Sequence, residues 1–400
     1  MPPDHQHKNQ SELVSEAERN PFRLFFPLGV FIGVAGVSPW LVLLWGVESY
    51  PVVWHRLNMI NGFMFAFVAG FLMTAIPRFT KTAFASTSEV VRTIFFVILS
   101  MVLLASSYVG WHYVSAAFGV LSLMIFAFTR FLKRQENPPY TFLLVGLSLL
   151  GWATANLVLG MHELGKIDLG EWLRVWQTFL FQGIILGLIL GVGGRLIPGI
   201  LGWTDIVGKQ RASYERPLPF WRVVPISLIL MAIVFFSSYF IAFISEKTAT
   251  LFRLGVVVTV GFHYWRIHRF PKTRTQLSWS IWITAWALLL SGILPLFWKH
   301  PSSHSGHSYF ISGFSLLTLL VATRVTLSHA RTQSRDAEAK SKTLSWVVFL
   351  LLLAAATRVL AILWPDHYLR HLGYAALLWV AGVIIWTLAM ARHFFPQRKS

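Results

Sequence analysis

The chain carries 14 histidines and no cysteine, and that pairing bounds its chemistry. Disulfides, thiolate metal sites, iron–sulfur clusters held by cysteine and covalent haem attachment are all excluded. The remaining donors are imidazole, thioether, phenol, carboxylate and backbone oxygen. Two histidines stand apart. His55 opens the run WHRLNMINGFMFAFVAGFLMTAIPRFT, and His307 opens HSYFISGFSLLTLLVATRVTLSH. Each is followed by a long apolar stretch with no carboxylate close in sequence. A polar group in such a stretch is costly and marks a functional site by default. Imidazole is a good ligand for haem iron, copper or zinc, and two histidines from facing helices suit a six-coordinate haem. We therefore expect a b-type haem held by His55 and His307. Met59 lies one helical turn below His55, and Arg56 is the nearest cation for a haem propionate. Helical steps from His55 reach Gly62, Ala66 and Ala69, a face narrow enough to admit a porphyrin edge. Ile311 and Phe314, below His307, would pack on the macrocycle. The segment HPSSHSGHS adds His300 and His304 at spacings of three and four from their neighbours, a candidate loop metal site. His162, His304 and His371 are the next ligand candidates. Any other histidine at a helix end reads first as an interfacial polar residue.

The elements that must position these side chains are membrane helices. Of 400 residues 55% are hydrophobic and 12% charged, with a mean hydropathy of +0.60, whereas a soluble chain carries about 25% charged residues. Apolar runs near 25–45, 55–76, 91–110, 113–131, 141–161, 172–197, 223–244, 249–266, 278–297, 307–329, 344–363 and 368–392 predict an all-α polytopic membrane protein of about twelve spans. Residues 1–24 and 396–400 read as cytoplasmic polar tails around one transmembrane domain over 25–395. No removable signal peptide is seen ahead of the first span. The net charge of +18 does not point to nucleic acid, because the cations lie in short loops. Most of them fall on alternate loops, as the positive-inside rule demands of twelve spans with both termini inside. The exceptions are Arg56, Lys166, Arg174, Lys247, Arg253, Lys299, Arg358 and Arg370. This topology puts His55 and His307 at the outer edge, at similar depth. Spans 2, 6 and 10 each end with an arginine, in IPRF, GGRLIP and ATRVTLSH, which suggests three four-helix repeats.

Five stretches resemble the NnrS family: FFPLGVFIGVAGVSPWL with the His55 run, VGGRLIPGILGW, HSYFISGFSLLTLLVATRVTLSHARTQ and AAATRVLAILWPDHYLRHLGYAALLWVAGVI. The resemblance covers about Phe25 to Phe395. It implies a bacterial inner-membrane protein containing haem and copper and linked to the nitric oxide response. In that family the histidine matching His55 is usually followed by a second histidine two residues on, then glutamate and methionine. Leu57, Asn58 and Met59 stand there instead, which puts copper in doubt. The plan of spans, with His55 and Met59 four apart, also has an architectural analogy to the catalytic subunit of haem–copper oxidases. Span 6 lacks the histidine that family needs for copper, so oxygen reduction is not expected. Two rival readings are a secondary transporter and a regulatory or structural subunit without cofactor. Gly191, Gly193, Gly194 and Pro198 could form the broken helix of a transporter. The partners expected are the lipid bilayer, haem and nitric oxide.

Overall fold

A computed structural model of the chain describes residues 18–47, 50–207, 218–297, 303–329 and 342–394. Among the described residues ten helices are long and apolar enough to cross a membrane: α1 Phe22–Trp45, α2 Val52–Thr80, α3 Thr87–Ala105, α4 Val109–Leu132, α5 Phe142–Glu163, α6 Trp172–Leu201, α9 Gln276–Phe297, α10 Ser305–Ser328, α11 Lys342–Leu363 and α12 Pro365–Phe394. Between α6 and α9 lie α7 Ile226–Ile241 and α8 Glu246–Thr259, the latter continued by a π-helical turn Val260–Trp265. Each expected span corresponds to a helix, but the seventh and eighth fall short of the others. The 16 residues of α7 span about 24 Å, less than a hydrocarbon core of about 30 Å. The α8 helix carries Glu246 and Lys247 in its first turn and Arg253 at its middle. The chain is a multi-pass, all-α membrane protein.

Each helix packs on the next in sequence, and α12 packs back on α1. Three helices are set apart by burial. In their most apolar stretches α2, α6 and α10 are 89%, 78% and 72% buried, against 28 to 56% for the other seven. They are the inner helices, spaced four apart in the chain, as the repeated arginine ends suggest. A second feature repeats with them. Each begins with a short α-helical segment and then loosens into a π-helical one: Asn58–Met64, Phe179–Gly183 and Tyr309–Ser315. A π turn holds an extra residue, so it rotates everything after it relative to the helix start. All three segments contain a glycine, Gly62, Gly183 or Gly313.

In lipid the hydrophobic effect does not drive helices together, so close packing and internal hydrogen bonds must do so. Around Asn61 the bonds are dense. Its side-chain oxygen accepts from Trp152 Nε1 (2.9 Å) and Asn156 Nδ2 (3.3 Å), and its nitrogen donates to Asn156 Oδ1 at 2.8 Å. The same nitrogen lies 3.2 Å from His112 Nε2, whose ring binds the Ser100 carbonyl through Nδ1 at 2.8 Å. This network ties α2 to α3, α4 and α5. The α6 glycines serve close approach. A Cβ on Gly191 would meet Val145 at 2.8 Å, and one on Gly194 would meet Thr141 at 2.6 Å. The helix runs unbroken through Gly191, Gly193, Gly194 and Pro198, so the break expected of a transporter is not there.

A paired-histidine cavity between the inner helices

His55 lies in the opening segment of α2, Val52–Leu57, and His307 in the opening segment of α10, Ser303–Ser308. The π turns that follow both leave these segments at one end of the bundle. The two imidazole rings line one cavity, with centroids 6.3 Å apart and planes within 6° of parallel. Two imidazoles bound to opposite sides of one metal ion, each by a bond of about 2.0 Å, have centroids roughly 6 Å apart. The His55 ring is oriented from outside. Its Nδ1 lies 3.1 Å from the Gly36 carbonyl of α1, and Trp40 meets it edge-on at 5.7 Å. An Nδ1–H donated to that carbonyl leaves Nε2 as the free lone pair, the usual outer-shell arrangement of a ligating histidine. His307 has the ring of Phe310 edge-on at 5.6 Å.

The cavity measures about 370 Å³ and is largely apolar, with Met59, Ile60 and Met64 from α2 and Phe310, Ile311 and Phe314 from α10. Leu372, Ala376 and Trp379 of α12 close its third side. Besides the two histidines, Ser315, two arginines and a phenol are among its polar groups. Arg56 lines it with its Nε buried and without a hydrogen-bond partner, and its guanidinium lies 5.3 Å from the Phe181 ring centre. Arg358 of α11 is 8% exposed and lines the same cavity together with Tyr50. Apolar walls, two imidazoles and two guanidiniums are the kinds of group that could hold a haem, as ligands, packing surface and partners for propionates.

Of the residues the sequence singles out, His55, Arg56, Met59 and His307 are brought together. Ile311 and Phe314 line the cavity as expected. The small face does not. A Cβ on Gly62 would meet Ile32 Cγ2 of α1 at 2.3 Å, and Ala66 packs on Gly29, so both face α1. The reason is the π segment, which turns the helix between His55 and Ala66. His300 and the side chain of His304 lie outside the described residues. Among the described residues no three His, Asp or Glu side chains gather as a metal site. His162 sits in a loop contact with the Ile167 carbonyl, and His371 stacks on Trp364; neither lines this cavity. The sequence reading missed Arg358, whose one signal was its place among the few cations off the positive side. The positions where the family's second histidine and glutamate would stand are turned away. Leu57 is fully buried, and Asn58 donates to the Trp54 carbonyl at 2.8 Å while packing on Gly36.

Fold and cavity together define a polytopic membrane protein with a paired-imidazole pocket at one end of its inner helices. The family model described as NnrS protein matches residues 18–398, nearly the whole chain. The chain belongs to the NnrS family. No curated protein and no solved structure matches it, so the analogy to oxidases rests on span number and spacing alone.

Proposed function

We propose that this NnrS-family protein is a haem protein of the bacterial inner membrane that serves the response to nitric oxide. The observation that carries the reading is the His55–His307 pair, parallel and 6.3 Å apart in one apolar cavity. His55 and His307, from two inner helices, would hold the iron. Arg56 and Arg358 would pair with the propionates, and Met59 and Phe314 would pack on the ring. When bound, the haem supplies reversible electron exchange and an iron that takes diatomic ligands. The protein's own part is to fix the imidazoles, through Gly36 and Trp40 for His55 and through Phe310 for His307. It also keeps water from the slot with Leu372, Ala376 and Trp379. Copper is left out of this reading, because Leu57 and Asn58 offer no imidazole or carboxylate where the family has them. Both termini lie on the cytoplasmic side and the cavity near the outer surface, on the strength of the cation distribution.

The absorption spectrum of the protein purified from haem-replete cells tests this. A Soret band, with a pyridine haemochrome of the b type at close to one haem per chain, is expected. A colourless, folded protein would contradict the reading.

A further inference from the structure

A second cavity of about 370 Å³ lies beside the first, between α6, α8, α9 and α10. Phe181 and Phe310 line both, so a wall of two aromatic rings separates them. The lining of the second is different in kind. Arg253 of α8 is 6% exposed, and a buried charge must be paired. Its Nη2 donates to Glu246 Oε1 at 2.7 Å, its Nε to the Ala249 carbonyl at 3.1 Å and its Nη1 to Gln182 Oε1 at 3.4 Å. A guanidinium has five N–H donors; these contacts use three, and the ring of Tyr239 lies on the group with its centre 4.7 Å from the guanidinium carbon. Gln182 turns its oxygen to Arg253, which leaves its amide N–H groups. Tyr309, a phenol donor, is 4% exposed and lines the cavity. Room for that hydroxyl is made by Gly292 of α9, where a Cβ would stand 2.6 Å from the phenol oxygen. Arg174, at the exposed rim, adds a second cation against the one carboxylate of Glu246.

The lining thus offers donors: guanidinium, amide and phenol, beside a wall of two aromatic rings, with a balance of one positive charge. We propose that this cavity is a binding site for a small monovalent oxyanion, held by Arg253, Gln182 and Tyr309. It is distinct from the paired-histidine cavity and does not depend on the haem reading. Gln182 and Tyr309 both stand on the π segments of inner helices, Phe179–Gly183 and Tyr309–Ser315, where π turns commonly present functional side chains.

The probe is nitrate, which is planar and monovalent, titrated calorimetrically into the purified full-length protein. The wild type is expected to bind it saturably without change in its absorption spectrum. Tyr309→Phe removes one donor to an anion and is expected to weaken binding roughly tenfold. Gly292→Ala, which pushes the hydroxyl aside, is expected to do the same, and Gln182→Leu replaces either variant that does not fold. Absence of saturable binding by the wild type would overturn the proposal. So would undiminished binding by the folded variants, or binding that moves the haem spectrum and so reports the iron. A haem-free protein that still binds nitrate, with loss in Tyr309→Phe, would sink the haem reading and leave this one standing.

Discussion

At the scale of single residues, the decisive fact is which side chains lack an ordinary structural partner. His112 is buried but satisfied at both ring nitrogens, by Ser100 and Asn61, and needs nothing more. Arg56 differs, since its Nε is buried beside the cavity without an acceptor. A cation left so in an apolar setting is costly unless an anion comes to it. A haem propionate is that anion in our account. Arg56→Leu is therefore expected to keep the Soret band but to release haem to a soluble scavenger roughly tenfold faster, the worth of one charge-assisted hydrogen bond. A release rate equal to that of the wild type would take Arg56 out of the site. His55, Met59 and His307 were legible in the sequence because residue type and place at the head of an apolar run suffice. Arg358 was not, since only the packing of α11 brings it to the same cavity as Arg56. The oxyanion donors were beyond reach for the same reason: Gln182, Arg253 and Tyr309 come from three helices.

At the scale of elements, the π segments govern what each inner helix presents. Apolar periodicity located α2, α6 and α10 well, because length and composition decide a span. It misplaced the face below His55, because a stepwise count assumes an unbroken α-helix. The inserted residue of a π turn leaves no mark in the hydropathy pattern. Its consequence is that Gly62 and Ala66 serve the contact with α1 while Ile60 and Met64 line the cavity. The polar residues carried by the segments, Asn61, Gln182 and Tyr309, serve two different surroundings. The first ties α2 to α5 through Asn156 and Trp152. The second and third face the polar cavity. The repeat of four thus survives as a repeat of backbone form, with side chains that have diverged.

At the scale of the whole molecule, three inner helices are ringed by the rest, and both cavities open near the same ends of α2, α6 and α10. Which side of the membrane that end faces follows, in our reading, from the cations. Lys133 and Lys166 flank α5 at its two ends and test it. A membrane-impermeant thiol reagent added to intact spheroplasts is expected to label Lys166→Cys and to spare Lys133→Cys, and the reverse pattern would turn the bundle over. The pairing of His55 with His307 is the central claim, and its geometry predicts a spectroscopic signature that should depend on both residues. Near-parallel imidazole planes, 6° apart, would donate into the same d orbital of a bound iron and split it away from its partner. Electron paramagnetic resonance of the ferric protein is the direct test. We predict a rhombic low-spin signal in the wild type, converted to high spin in His55→Ala and in His307→Ala. A wild-type signal retained by both variants would contradict the account.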